Sequence, residues 1–332
     1  MAREALSESE TIEIIHEMLG GPAPGLVVGP GDDAAVFDFT TNSIILTVDA
    51  IHEGVHFTLD AYDLGDVGWK AVASSISDVA AMGGEPTCSL ISAAFGEPPT
   101  EPELRRLLDG AIEVSDQCHC PIVGGDVCSS KAGLSLTVTV AGTPHPTGSV
   151  LRSGAREGDL IGVTGTLGDS AGGLYVLKSH SDSLRASYPG LVEAHLRPRP
   201  RVSAGAALAA ASVHAMADVS DGLARDLSNI CRASKAGCEI HLENVPVSDA
   251  LSELAAEALL DPVTWALSGG EDYELVFAAA PEDFEAVAGE LGTLGVRCSL
   301  LGTVTGPDAG ATLVSDGGQV TEMEGLGYDH FL

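Results

Sequence analysis

The chain has 332 residues, 45% of them hydrophobic and only 19% charged, a length that suits two domains with a sizeable core. Its 48 acids face 16 bases, for a formal net charge of −32. That balance excludes nucleic acid, whose phosphates need clustered Lys and Arg, and equally an anionic membrane surface.

Ser7 and Glu10 stand at capping-box spacing, which predicts a helix to about Leu19, closed by Gly20-Gly21. Residues 44–48 read as a strand. Residues 66–82 have helical spacing, with Trp69, Val72, Ala73 and Ile76 on one face, and stop at Gly83-Gly84. A second helix is expected at 103–114, a short strand at 121–123 and an alternating strand at 134–141. Proline and glycine from Gly142 to Gly148 interrupt both periodicities, so the domains are expected at 1–148 and 149–332. Beyond that boundary, 159–164 reads as a strand, 165–170 as a glycine loop, and a helix begins near Ala171. Arg197-Pro198-Arg199-Pro200-Arg201 marks a second break. Residues 202–211 and 222–233 read as helices, the second entered from an apolar run that ends at Asp218. Strand-like pieces recur at 239–242, 273–277 and 296–301. The mixed order in both halves gives an α/β (α+β) class.

The N-terminus, Met1-Ala2-Arg3-Glu4-Ala5, lacks a signal-peptide pattern, and no apolar run approaches the roughly 20 residues of a membrane span. Seven cysteines form no CxxC pair. They read as core thiols, and the expected location is the cytoplasm. Cys118-His119-Cys120 lies close to Cys128, a spacing read first as packing and second as a metal site.

Short glycine–acid motifs recur along the chain: Gly31-Asp32-Asp33, Val48-Asp49, Ser77-Asp78, Gly124-Gly125-Asp126, Asp218-Val219-Ser220-Asp221-Gly222 and Gly269-Gly270-Glu271-Asp272. Most follow an apolar run, so each is expected where a strand gives way to a loop. One such motif is an ordinary turn or helix cap. Several that converge are a different matter, because two carboxylates about 4 Å apart repel by roughly 4 kcal/mol at an effective dielectric near 20. Such a cluster calls for cations, and oxygen-only ligands beside glycine point to Mg²⁺ rather than Zn²⁺.

Other nucleotide-binding signatures are missing: there is no P-loop, no GxGxxG and no protein-kinase motif set. His52-Glu53-Gly54-Val55-His56 matches the zinc-protease pattern, but it follows a strand and contains Gly54, which costs a helix about 1 kcal/mol. It reads as a loop carrying polar groups. The 165–170 loop is either an anion site at a helix N-terminus or a tight connection. Arg152 and the Arg197/Arg199/Arg201 group are either phosphate contacts or linker residues. Tyr328, in the ending Gly327-Tyr328-Asp329-His330-Phe331, either anchors the terminus or stacks on a flat ligand.

Taken together these residues resemble the thiamine-monophosphate kinase family, within the wider group of aminoimidazole ribonucleotide synthetase-like ATP-binding proteins. The resemblance runs over nearly the whole chain. It is carried by Gly31-Asp32-Asp33-Ala34-Ala35, Thr47-Val48-Asp49-Ala50, Lys70-Ala71-Val72-Ala73, Ser77-Asp78-Val79-Ala80-Ala81-Met82-Gly83, Arg152-Ser153-Gly154, His195-Leu196-Arg197-Pro198 and Ser220-Asp221-Gly222-Leu223. The most specific stretches are Gly269-Gly270-Glu271-Asp272-Tyr273-Glu274-Leu275 and the Gly327–Phe331 ending. The resemblance implies a two-domain fold whose N-terminal mixed sheet, with helices on one face, forms a homodimer, and whose C-terminal domain is an α/β sandwich. It implies ATP-dependent phosphorylation of thiamine monophosphate to thiamine diphosphate, with ATP as co-substrate and several Mg²⁺ ions. Asp33, Thr47, Asp49, Asp78, Asp126, Asp218 and Asp221 would be Mg²⁺ ligands, with Val48 contributing its backbone carbonyl. Gly125, Asp126, Arg152 and Ser220 would hold ATP, and His56, Glu271 and Tyr328 would contact the thiamine end. No general base is assigned, since a phosphate acceptor is already an anionic nucleophile. Asp32 and Asp272 receive no role. One departure is Val127-Cys128-Ser129 after Gly-Gly-Asp, where the family often has Thr-Thr-Arg. The alternatives are another ATP-using member of the wider group and a catalytically silent nucleotide-binding scaffold.

Overall fold

The computed structural model describes residues 26–28, 32, 35–39, 42–323 and 325–328. The helix expected at 7–19 lies outside them. The first sheet has six strands: β1 (Leu26–Val28), β2 (Ala35–Phe39), β3 (Asn42–His52), β4 (Glu85–Phe95), β5 (Ile122–Ser129) and β6 (Ser135–Thr143). Their order is β1-β2-β3-β6-β4-β5. Only β4 and β5 run parallel. Along β6, Leu136, Val138 and Val140 are buried while the residues between them are half-buried, so one face is covered and the other is not.

The cover is helix α1 (Leu64–Ala81), which buries Val67, Val72, Ile76 and Val79 completely. Asp63 caps its start by accepting from Gly65 N at 2.8 Å. Helix α2 (Glu101–Gln117) begins with the Thr100/Glu103 capping box and crosses α1 at backbone contact. A Cβ on Gly68 would stand 2.0 Å from the Leu107 carbonyl oxygen, and one on Gly110 would stand 1.8 Å from that of Gly65. Only glycine permits this approach.

Two expected strand ends move. β3 continues to His52, so Asp49 sits inside the strand, paired with Val138 of β6, and not in a following loop. β5 runs to Ser129 and contains Gly124-Gly125-Asp126. In both cases the ladder to a neighbouring strand carries polar residues that local propensity would place in a turn.

The second sheet has seven strands: β7 (Leu160–Thr164), β8 (Ala215–Asp218), β9 (Gly237–His241), β10 (Leu275–Ala279), β11 (Cys298–Thr305), β12 (Ala311–Val314) and β13 (Val320–Glu322). The order is β13-β12-β9-β11-β7-β10-β8. Eight helices accompany it: α3 (Asp169–Lys178), α4 (Asp182–Ser187), α5 (Pro189–Leu196), α6 (Val202–Ala210), α7 (Leu223–Ser234), α8 (Asp249–Ala258), α9 (Pro262–Ser268) and α10 (Pro281–Thr293). Strand β10 is apolar throughout because it faces two cores. Val276 and Ala278 join Leu223, Leu227 and Ile230 of α7, while Leu275, Phe277 and Ala279 join Leu208 of α6 and Phe284 of α10.

The arginine–proline run 197–201 forms a seam between the two halves. Arg197 Nε donates to Asp66 of α1 at 2.6 Å, and Trp69 Nε1 donates to the Pro198 carbonyl at 2.7 Å. A Cβ on Gly205 would stand 2.1 Å from the Ala80 carbonyl oxygen, so α6 lies directly on α1. All seven cysteines are free thiols, and Cys128 is exposed. Among the described residues no helix is long and apolar enough to cross a membrane.

Candidate active site

A cavity of ≈ 780 Å³ opens where α1 and β3 meet the ends of β8 and β10. Thr47, Asp49 and Asp78 line it from the first half, and Asp218, Ser220 and Asp221 from the second. Alternation along β3 puts Thr47 and Asp49 on the side of buried Ile45 and Ile51, facing α1. Asp78 comes from the last turn of α1, and the Thr47 hydroxyl donates to it. One residue earlier, Ser77 Oγ donates to Asp218 Oδ2 at 2.6 Å. Asp218 ends β8 and is 2% exposed, so this bond ties the two halves together at the site.

The loop after Asp218 is held from three sides. Glu271 N donates to the Ser220 carbonyl at 2.8 Å, and Tyr328 N donates to the Asp221 carbonyl at 3.0 Å. Behind the loop, Asp226 Oδ2 accepts from Ser220 N and Asp221 N, both at 3.0 Å. Burial, then the charges of Asp221 and Asp218, push the Asp226 carboxyl well above the usual range. The opposing loop needs unusual backbone: Gly270 has φ 68°, and the non-glycine residues Glu271 and Tyr273 have φ 58° and 51°. Such conformations cost about 1–3 kcal/mol each and persist only where the surroundings impose them.

A second cluster reaches the same cavity through Tyr62, His195 and Glu271, with Lys70 buried behind them. Lys70 of α1 has no exposed surface, and its Nζ donates to Glu271 Oε2 at 2.8 Å and to the Tyr62 hydroxyl at 3.2 Å. The Tyr62 hydroxyl bonds His195 Nε2, and His195 Nδ1 lies 2.9 Å from Ser170 Oγ. Burial opposes the charge on Glu271, but Lys70, by charge and by hydrogen bond, prevails and holds its carboxyl below the ordinary value. Burial and Lys70 drive His195 down to about 3, so it is a neutral imidazole. His56, Tyr273 and Tyr328 complete this part of the wall.

The expected residues therefore divide. Thr47, Val48, Asp49, Asp78, Asp218, Asp221, Arg152, Ser220, His56, Glu271 and Tyr328 all line one cavity. Gly125 and Asp126 do not. They are exposed on the edge strand β5, with Asp126 in the register row of Ser92 and Thr137, on the face away from buried Leu136 and Val138. Asp33, Asp329, His330 and Phe331 lie outside the described residues. Asp32 accepts from Arg152 N at 3.0 Å and so seats the Arg152 loop. Asp272 accepts from Gly168 N at 2.8 Å and Ser170 N at 3.3 Å, so the acceptor at the N-terminus of α3 is the chain's own side chain. Arg197, Arg199 and Arg201 pair with Asp66, Glu193 and Glu274 and act as structural ties. The His52–His56 stretch forms a turn, with His52 N donating to His56 Nδ1 at 3.0 Å, so the zinc-helix pattern fails. Sequence reasoning named Lys70 and His195 only within the family pattern, without a role, and missed Tyr62 and Asp226 altogether. A lysine on the apolar face of α1 was the one visible signal.

The family model for AIR synthase related protein, N-terminal domain, matches residues 31–143, and that for the C-terminal domain matches 156–314. A thiamine-monophosphate kinase of Escherichia coli (strain K12) is 37% identical over 308 residues, covering 92% of this chain and 92% of the relative. The chain belongs to the thiamine-monophosphate kinase family. The enzyme of that name from Bacillus subtilis (strain 168) is 35% identical over 307 residues, covering 92% of this chain and 93% of its own. Among solved structures of the family, AaThiL complexed with AMPPCP and TMP superposes with a TM-score of 0.87 at 30% identity over 100% of both chains. The thiamine-monophosphate kinase of Stenotrophomonas maltophilia K279a gives 0.76 at 33% identity over 96% of this chain and 97% of that one. The two-domain fold with mixed sheets is that of the family. The hydrogenase maturation protein HypE, at 20% identity and a TM-score of 0.70, shares the fold alone.

Proposed function

We propose that this chain transfers the γ-phosphoryl group of ATP directly to the phosphate of thiamine monophosphate, giving thiamine diphosphate. The observation that carries the reading is the single cavity joining two unlike clusters, carboxylates with Thr47 and Ser220 in one, and Glu271, Tyr62 and His195, backed by buried Lys70, in the other. Full-length similarity to a relative held with AMPPCP and TMP supports the pair of substrates.

The carboxylates fit magnesium. Asp49, Asp78, Asp218 and Asp221 offer only oxygen, Thr47 adds a hydroxyl, and Arg152 and Lys178 are the cationic residues lining the cavity. Among the described residues, which do not include Asp33, no three His, Cys, Asp or Glu side chains already close on one point. We assign Asp33, Thr47, Asp49, Asp78, Asp126, Asp218 and Asp221, with the Val48 carbonyl, as magnesium ligands. When bound, magnesium supplies neutralisation of phosphate charge. The chain's residues supply position: Ser220 and Arg152 hold ATP, and Asp32 fixes the loop that carries Arg152. His56, Glu271 and Tyr328 receive the thiamine end. Because Lys70 already neutralises Glu271, that carboxylate serves as an oriented acceptor more than as a bare counter-charge.

The domain division at 148/149 and a homodimer belong to the same proposal. Val48 and Leu90, both in the register row of Thr139 on the face away from α1, are exposed at 59% and 46%, an apolar surface that a second copy would cover. Gly125 and Asp126 lie on that sheet, so their part in ATP binding is proposed for the assembled dimer. The test is incubation with ATP, magnesium and thiamine monophosphate, with chromatography for thiamine diphosphate. A folded sample that makes none sinks the reading.

A further inference from the structure

We infer that Lys70 is a positioning residue for the thiamine end of the substrate. It commits one oxygen of Glu271 and cancels the charge of that side chain, which becomes a fixed acceptor for an N–H group. This wall therefore selects the substrate by its pyrimidine amine and not by its thiazolium charge. The inference rests on the reading that thiamine monophosphate fills this cavity.

Glu271 is fixed at both ends. Its N donates to the Ser220 carbonyl at 2.8 Å, and its φ of 58° is a conformation that surroundings must impose. At the other end, Oε2 accepts from Lys70 Nζ at 2.8 Å, and His195 Nδ1 lies 3.5 Å from the same oxygen. Among the described residues none donates to Oε1. The Glu271 side chain is 27% exposed and lines the cavity, whereas Lys70 is wholly buried behind it. Lys70 Nζ also donates to the Tyr62 hydroxyl at 3.2 Å, so the ammonium is itself held in place.

A Lys–Glu pair carries no net charge, whichever partner holds the shared proton. Burying an ammonium is costly, and an apolar side chain of the same length would pack the inner face of α1 without that cost. A carboxylate meant as a counter-ion needs no lysine behind it. One meant as an aimed acceptor does, because the bond to Oε2 fixes the direction in which Oε1 points. The chemistry of the substrate agrees. Its pyrimidine ring carries an exocyclic amine, while the thiazolium nitrogen is fully substituted and has no N–H to give.

Calorimetry on the full-length protein, with magnesium and AMPPCP present, compares three ligands. They are thiamine monophosphate, its analogue with an oxo group in place of the pyrimidine amine, and its analogue with a neutral thiophene in place of the thiazolium. The oxo analogue should bind about 10- to 100-fold more weakly, as for the loss of a hydrogen bond to a charged acceptor. The neutral-ring analogue should lose far less. Undiminished binding of the oxo analogue, or an equal or larger loss for the neutral-ring analogue, would overturn the proposal. Lys70→Met keeps the length of the side chain and removes the donor, so the preference for amine over oxo group should largely vanish. Lys70→Gln, which returns a donor, should regain part of it. A full preference in folded Lys70→Met would make Lys70 a support for α1 and nothing more. Should Lys70→Met not fold, Lys70→Gln and the unaltered chain carry the test. If thiamine monophosphate itself does not bind the unaltered chain, the substrate reading fails first and this inference falls with it.

Discussion

His195 shows most directly what one buried side chain contributes. It is 1% exposed and its pKa falls from an ordinary value of 6.5 to about 3, through burial first and then Lys70. Glu271 opposes that shift, and Lys178 adds to it. Above pH 6.5 neither folded nor unfolded chain protonates this ring, so it makes no pH-dependent contribution. Below 6.5 the unfolded chain binds a proton that the folded chain excludes until about pH 3. Stability therefore falls by roughly 1.4 kcal/mol per pH unit across that window from this residue alone. Urea unfolding at a series of pH values should show a slope nearly one proton shallower for His195→Gln; an unchanged slope would remove His195 as the source. The network around it was barely legible in the sequence. Lys70 interrupts an apolar helix face, which flags a buried charge, but its partner Glu271 lies 201 residues away and no local pattern joins them. Asp272 and Asp32 were legible as acids and opaque in purpose, because a helix cap and a loop tie become visible only when the partner backbone is in place.

At the scale of elements, glycine decides how α1 meets its neighbours. Gly110→Ala should destabilise the fold by about 1–3 kcal/mol, since its Cβ would stand 1.8 Å from the Gly65 carbonyl oxygen and backbone must shift. Gly289→Ala in α10 has nothing within 4 Å of the new Cβ and should be stabilising by about 0.5–1 kcal/mol. Thermal melts of the two variants should move in opposite directions; a shared direction would contradict the close crossing. Helices such as α1, α2 and α7 were readable from caps and spacing. Strands β3 and β5 were read short because Asp49 and Gly124-Gly125-Asp126 look like turn residues, and the ladder that holds them comes from β6 and β4. The arginine–proline run looked like a linker for the same reason. Its arginines are fixed by acids from other elements.

For the whole molecule, the six glycine–acid motifs were visible one by one, and their convergence was not. Five of the six bring a carboxylate to one cavity, and Gly124-Gly125-Asp126 stays on the sheet edge. In the proposed reading, that exception ties the site to assembly. Light scattering should give twice the chain mass of 33.8 kDa, and a monomer at working concentration would withdraw the dimer and with it the role of Asp126. The central claim is direct phosphoryl transfer between two substrates held in one cavity. Its sharpest test uses ATP labelled at the γ-phosphoryl group, with magnesium and thiamine monophosphate. The label should appear in the terminal phosphate of thiamine diphosphate, one for each ADP formed. Label released only as inorganic phosphate, with no thiamine diphosphate from folded protein, would contradict it.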